Sequence, residues 1–371
     1  MKFNSQINLK KEDRNILNLR HLYEQYGFVH YKMNKFEEYD LYVSNKDFLS
    51  GDNIITFTDT NGKLLALKPD VTLSIVKNYR DAGETIQKVY YNENIYRTSK
   101  STKTYKELMQ MGLECMGDLD LYHISEVLIL AAESLEILSD NYILDLSHMG
   151  IIRGLLEELN LRPKHEEKFL SLLREKNAHG ITALFDSLKI REELRETAIT
   201  LATTYGSMDC VLKTLESISL NSTMDAALHQ LEVICDILDR QGFDNVRLDF
   251  SIVNDMNYYN GILFRGYVEG IPTGVLSGGQ YDELMEKMGK KAGAIGFAIY
   301  LDLLEDYESS SENYDIDALL LYDDTSEPGD VMDAVRHLTE QGFKVRCQRK
   351  IPDKLRYRLL FRIDKGILKE V

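Results

Sequence analysis

The sequence predicts an α+β protein in which an antiparallel sheet is flanked by helices, interrupted by a helical insertion and followed by a small C-terminal α/β domain. Three observations predict it. A long hairpin pattern runs from Lys88 to Gly117, with β-favouring residues in both arms and a polar tip between them. From Gly150 to about Gln241 the texture changes to Leu-, Glu-, Lys- and Ala-rich helical periodicity. An acidic, serine-rich stretch from Glu305 to Asn313 then separates a last block of alternating strand and helix patterns. The expected domains are residues 1–307, with the insertion at about 151–241, and residues 314–371.

The first helix is read from Lys11 to Gly27, where Ile16, Leu19, Leu22, Tyr23 and Tyr26 recur at intervals of three and four. Phe28 to Tyr42 alternates poorly. Ile54–Thr58 and Leu64–Leu67 read as strands around Asp59-Thr60-Asn61-Gly62, whose Asn-Gly is a strong hairpin signal. Pro69 pushes Lys68 out of helical backbone, and Asp70 or Thr72 is placed to cap a helix running to Tyr79.

In the hairpin, Lys88 to Arg97 is the first arm and Thr98 to Lys106 the tip. On the return arm Met109, Met111, Leu113 and Cys115 fall on one face, and Gln110, Gly112 and Glu114 on the other. Gln110 and Glu114 are roughly 13 Å apart at ~3.3 Å per residue, and Gly112 between them would let a ligand approach the backbone. That face is either a slot for a molecule of amino-acid size or the solvent side of an edge hairpin.

Leu121–Leu138 reads as a helix and Tyr142–Leu146 as a strand. The amphipathic stripes of the insertion read as packing or partner contact. The strand pattern returns at Arg247-Leu248-Asp249-Phe250-Ser251-Ile252-Val253, and Asn257 to Gly261 opens another through Val268. A further strand ends in Ser277-Gly278-Gly279, where adjacent glycines imply close packing or ligand approach. Asp282–Met288 reads as a helix and Gly293–Leu304 as strand then helix. In the last domain Lys344, Arg346, Arg349, Lys350, Lys354, Arg356, Arg358 and Arg362 form either a solvated face or a patch for an acidic partner.

Composition narrows the functional classes. The net charge of −16 argues against broad tRNA or DNA contact. The four cysteines contain no CxxC pair, and the eight histidines show no HxH or HExxH spacing, so neither a disulfide framework nor a metal site is expected. No apolar run of about 18 residues is present and the opening MKFNSQINLKKEDR carries no apolar signal segment, so a cytoplasmic protein without membrane contact is expected.

Taken in order, FTDTNGKLLALKPDVT, YYNENIYR…YKELMQMGLECMGD, NYYNGILF and SGGQYDELMEKMG…AIGFAIYLDLL resemble the catalytic domain of histidyl-tRNA synthetases. The resemblance covers most of residues 10–305. It implies the class II aminoacyl-tRNA synthetase fold, commonly a homodimer. Carried over by position, it implies that Asp70, Thr72 and Gln110 hold the α-amino end of L-histidine and that Arg97 lies near the carboxylate. Glu114 and Tyr259 would read the imidazole, with Tyr258 close by. The chemistry suits these residue types, since an ammonium and an imidazole NH need acceptors and a carboxylate is well served by guanidinium.

The departures from the synthetase pattern concentrate on its nucleotide half. Where the synthetases carry a GLER-like pattern with an ATP-clamping arginine, this chain reads Tyr300-Leu301-Asp302-Leu303. The arginine of the RGLDYY pattern is Asn254, the Tyr-Glu after the hairpin arginine is Thr98-Ser99, the PEGT motif is Pro69-Asp70-Val71-Thr72, and a first-motif proline is Asn34. The combination resembles the synthetase-like regulatory subunits of ATP phosphoribosyltransferase, although Lys68 departs from their usual arginine. That resemblance implies a non-catalytic subunit without a cofactor of its own, binding histidine as a feedback effector at the first step of histidine biosynthesis. Its implied partner is a short-form catalytic subunit that uses Mg²⁺. A divergent histidyl-tRNA synthetase and a histidine sensor with some other partner are the rival readings.

Overall fold

The computed structural model describes residues 11–45, 54–80, 85–98, 104–253, 258–308, 314–364 and 367–371. Two compact units divide the chain: Asn15–Leu303, and Met1–Arg14 together with Leu304–Val371. Helix α1 (Lys11–Gln25) buries Asn15, Leu19 and Tyr23, one position per turn. It ends where Gly27 takes φ of +81°, with Gly27 and Phe28 N–H donating back to Glu24 and Tyr23 carbonyls.

The weakly alternating stretch after Phe28 forms short pieces: β1 (Val29–His30), β2 (Phe36–Glu38) and α2 (Tyr39–Val43). The Asn-Gly hairpin joins β3 (Thr56–Thr58) to β4 (Leu64–Leu67), with Asp59 Oδ1 accepting from Asn61 and Lys63 N–H. With β2 these make a three-stranded antiparallel sheet in the order β2-β4-β3. Helix α3 (Thr72–Asn78) follows, and Asp70 supplies its cap by accepting from Leu73 N–H at 2.9 Å. The central hairpin is β5 (Gln87–Thr98) and β6 (Tyr105–Gly117), antiparallel throughout. Of its expected polar tip, residues 99–103 lie outside the described residues.

Next come α4 (Leu121–Leu138), started by an Asp120–His123 capping box, and β7 (Tyr142–His148). The insertion contains α5 (Met149–Leu159), α6 (Pro163–Arg174), α7 (Ala178–Leu188), α8 (Glu192–Thr203), β8 (Tyr205–Ser207), α9 (Met208–Ile218) and α10 (Ser222–Arg240). Its helical reading therefore needs one correction, because β8 pairs with β9 (Val246–Asp249) at the end of the main sheet. Strand β9 is shorter than its alternating sequence predicts: Asp249 Oδ1 accepts from Ser251 N–H at 2.9 Å, an Asx turn that ends the strand.

Three more strands and two helices complete this stretch: β10 (Ile262–Val268), β11 (Leu276–Gln280), α11 (Asp282–Lys287), β12 (Gly293–Tyr300) and α12 (Leu301–Glu308). The nine-stranded sheet has the order β1-β5-β6-β12-β11-β10-β7-β9-β8. It is antiparallel through its middle, as expected, but β1/β5 and β7/β9 pair in parallel. Helix α12 extends through the first part of the expected acidic linker, whose residues 309–313 lie outside the described residues.

One face of the sheet is apolar. Tyr90, Leu113, Phe297, Phe264 and Leu146 lie on it, and Tyr23 of α1 meets Tyr90 and Phe297 with ring centroids at 6.0 and 6.1 Å. Helix α4 covers the same side, its Leu135 filling the place a side chain at Gly266 would take. The opposite face carries the polar residues of the hairpin.

In the C-terminal unit, β13 (Ile316–Leu321), β14 (Val345–Gln348) and β15 (Tyr357–Asp364) are parallel and β16 (Ile367–Glu370) is antiparallel, in the order β14-β13-β15-β16. Helix α13 (Pro328–Glu340) closes an apolar cluster with Ala318, Leu320, Phe361 and Ile363. All eight basic residues of the second half are exposed. Two are neutralised locally, Arg349 by Asp324 at 2.7 Å and Arg356 by Asp315 at 2.9 Å.

Candidate functional site

The polar face of the large sheet floors a cavity of about 340 Å³ lined by Asp70, Thr72, Arg97, Gln110, Glu114, Tyr258 and Tyr259. All seven residues picked out by the sequence thus come together around one space. The alternation of β6 puts Gln110 and Glu114 on the cavity side, yet both are almost fully buried. The hairpin is central, with β12 hydrogen-bonded to β6, so the alternative of a solvent-facing edge is overturned.

Glu114 is the electrostatic centre. Thr72 Oγ1 donates to its Oε1 at 2.7 Å, and Tyr281 Oη donates to its Oε2 at 2.5 Å. Burial nonetheless raises its pKa to about 8, and the nearby Asp70 adds to the rise. Asp70 is also raised by burial, with the Leu73 N–H and the Arg97 charge pulling it back. Arg97 is steered by its Nε, which donates to the Pro69 carbonyl at 3.0 Å. An acidic lobe of Glu114 and Asp70, ringed by hydroxyls, therefore faces an adjoining guanidinium. Such a lobe can hold a ligand that brings its own N–H donors.

One glycine reading changes and another is resolved between its two alternatives. A side chain at Gly112 would meet the Phe297 carbonyl at 2.1 Å and Tyr91 Oη at 2.6 Å, so Tyr91, its register partner on β5, occupies the space expected for a ligand. At Gly279 a side chain would meet Tyr259 Cδ1 at 2.5 Å, and at Gly278 the Gly296 carbonyl at 2.4 Å. These two glycines serve close packing. A third glycine shapes the cavity: a side chain at Gly296 would stand 1.8 Å from Glu114 Oε2.

Tyr258 and Tyr259 reach the same cavity although they are sequence neighbours. Of the expected strand opening, Asn257 lies outside the described residues and residues 258–261 are not strand, because β10 starts at Ile262. Freed from strand alternation, the two rings lie 4.6 Å apart, and Tyr258 is 5.9 Å from Tyr281. The preceding Asn254, a position of interest in the sequence, lies outside the described residues.

Sequence reasoning missed Tyr91, Arg174, Arg265, Ser277, Tyr281 and Tyr300, which also line the cavity. Arg174 comes from α6, so the insertion contributes to the site as well as to packing. Its Nε donates to the Val253 carbonyl at 3.1 Å. A polar residue facing the sheet from Ser277 or Arg265 could be found from the strand period. Arg174 gives no such signal, because only the fold brings α6 to the cavity. Lys68 lies outside the lining: it is wholly buried and pairs with Glu93 at 3.0 Å. Asp302, in the altered last-helix pattern, accepts from Met109 N–H at 2.9 Å and so ties α12 to the hairpin.

Among the described residues no group of three or more His, Cys, Asp or Glu side chains is arranged to hold a metal ion. No helix among them is long and apolar enough to cross a membrane.

A family described as "Histidyl-tRNA synthetase" matches residues 7–304. The chain is 29% identical over 293 residues to an ATP phosphoribosyltransferase regulatory subunit of Oceanobacillus iheyensis, covering 78% of this chain and 72% of that one. A crystal structure described as an ATP phosphoribosyltransferase regulatory subunit/histidyl-tRNA synthetase from Bacillus halodurans is similar with a TM-score of 0.73 and 21% identity, over 95% of each chain. A chain of an ATP phosphoribosyl transferase complex from Thermotoga maritima matches with a TM-score of 0.62 and 20% identity, over 81% of this chain and 98% of that one.

Proposed function

Because this chain belongs to the histidyl-tRNA synthetase family, matched over residues 7–304, we propose that its cavity binds L-histidine as an effector and that the chain is the non-catalytic regulatory subunit of an ATP phosphoribosyltransferase. The observation that carries the ligand is the buried Glu114, which receives hydroxyl donors from Thr72 and Tyr281 and sits in one cavity with Asp70, Gln110 and Arg97. In this reading Asp70, Thr72 and Gln110 take the ammonium, Arg97 takes the carboxylate, and Glu114 with Tyr259 reads the imidazole beside Tyr258. Among the described residues the side-chain donors that Glu114 receives are hydroxyls, so a ligand that supplies an N–H gains selectivity for it.

The regulatory assignment is supported by the name of the Oceanobacillus iheyensis relative and by the altered nucleotide half. Leu303 stands where the synthetase pattern has its ATP-clamping arginine. Tyr300 stands where that pattern has glycine, and its ring lines the cavity. Catalysis of acyl-phosphate chemistry needs cations aimed at the developing charge, and Leu303 removes one that the synthetase pattern carries. The Mg²⁺-dependent transfer of the phosphoribosyl group to ATP belongs to a short-form catalytic partner, with no cofactor on this chain. We place the protein in the cytoplasm as a homodimer within a hetero-oligomer, with residues 1–307 forming the ligand-binding domain and 314–371 a small C-terminal domain.

Histidine feedback then requires that one arrangement of the assembly bind histidine better than another, a coupling typically of about 1–3 kcal/mol. Titration of the purified protein with histidine and, separately, with ATP tests the reading: saturable histidine binding and little ATP binding are expected. Robust histidine-dependent ATP–pyrophosphate exchange would instead establish the divergent synthetase. Failure to co-purify with, or to alter the activity of, a short phosphoribosyltransferase would leave a histidine sensor with another partner.

A further inference from the structure

The acidic lobe around Glu114 accounts for one part of the cavity, while its lining also includes Arg174, Arg265, Ser277 and Tyr300. Arg265 projects from β10 to the polar face of the sheet, directly opposite Ser277 on β11 and Asp145 on β7. It is half-buried and is set in place by shape: a side chain at Gly274 would meet Arg265 Nε at 2.3 Å, and the Tyr267 ring lies 5.6 Å from the guanidinium carbon. Among the described residues the Arg265 guanidinium makes no hydrogen bond and no ion pair. Asp145 attracts it at longer range, and the charges of Asp249, Lys176 and Arg247 act on Asp145 as well.

Arg174 is held differently. Its Nε is committed to the Val253 carbonyl at 3.1 Å, and its two terminal nitrogens make no hydrogen bond among the described residues. Ser277 Oγ and Tyr300 Oη lie 2.8 Å apart and share one hydrogen bond, which leaves the other hydroxyl proton to donate elsewhere. Arg174 is exposed and Arg265 half-buried, and a half-buried guanidinium without an acceptor has lost water without replacement, a loss that a bound anion would offset. Forked N–H donors with an added O–H match a tetrahedral oxyanion, whose several oxygens can each accept.

We propose that Arg265 and Arg174, with the Ser277–Tyr300 hydroxyl pair, form a second subsite of the cavity that binds a phosphate group. This subsite is distinct from the acidic lobe and does not depend on histidine being the ligand there. A planar carboxylate is the competing occupant, and it offers fewer acceptor positions to the same donors.

The test uses the full chain and inorganic phosphate as the probe, followed by calorimetry with acetate as a comparison arm. Saturable phosphate binding is expected, weakened at least tenfold in Arg265→Gln and in Arg174→Gln, and weaker for acetate than for phosphate in the unaltered protein. Arg265→Lys keeps the charge and is expected to bind between the two. Unchanged thermal melting of the variants identifies the loss as local. Phosphate that does not bind, that binds all variants equally, or that is displaced by histidine from a shared position overturns the second subsite. Acetate binding more tightly than phosphate reassigns it to a carboxylate and overturns the proposal too. Histidine titration reads the acidic lobe separately, so either reading can fail without the other.

Discussion

Tyr281 donates its hydroxyl to Glu114 Oε2 across 2.5 Å while a side chain at Gly296, on the neighbouring strand, would lie 1.8 Å from the same oxygen. The carboxyl group is thus held from one side and given room from the other. An acid buried this tightly is preorganised for a ligand and is costly for the fold.

That cost has a sign. Glu114 has a folded-state pKa of about 8, above the ordinary glutamate value of about 4.3. Between these pH values the folded chain binds a proton that the unfolded chain lacks, so stability from this group is full at low pH and declines as pH rises through about 8. Glu114→Gln removes the titration. Urea denaturation is expected to show the variant gaining stability over the parent as pH rises from 5 to 8, on the order of a few kcal/mol; a constant difference across that range would rule the protonation account out.

Glu114→Ala and Arg97→Ala are each expected to weaken histidine binding by at least about 1–3 kcal/mol, because each leaves a buried polar partner unmet. Calorimetry measures this. Unchanged affinity in both variants removes the site assignment.

Gly296→Ala tests the room given to Glu114. The added methyl forces the carboxylate or the β12 backbone to move, an overpacking cost of about 1–3 kcal/mol. Histidine binding is expected to fall with it, and a variant with parental melting temperature and affinity would show that the space is not needed.

The legible part of this fold is the part governed by local periodicity. The turn at Asn61-Gly62, the Asp70 cap and the two faces of β6 follow from residue chemistry and a period of two. The altered residues at Tyr300 and Leu303 were readable against the synthetase pattern. What was not legible depends on distant chain segments meeting. Gly112 reads as an opening for a ligand until Tyr91 is seen to cover it. Tyr258 and Tyr259 conflict as strand neighbours until β10 is found to begin three residues later, at Ile262. Arg174 belongs to a helix whose sequence speaks only of packing or partner contact, and its approach to the cavity is a property of the tertiary fold.

Lys68 offers a check on packing away from the ligand. It is wholly buried against Glu93, and burial lowers its pKa against the pull of that carboxylate. Lys68→Ala removes one half of the pair and is expected to destabilise the protein by about 3 kcal/mol, with Lys68→Arg closer to the parent. Denaturation midpoints of the two variants provide the comparison.

The central claim is that histidine in this cavity governs a catalytic partner. The most direct measurement is the turnover of a short-form ATP phosphoribosyltransferase assembled with this chain, followed as histidine is added. The account predicts inhibition by histidine with the unaltered chain and insensitivity with the Glu114→Ala chain in an assembly that still turns over. Equal response to histidine in both assemblies, or none in either, would contradict it.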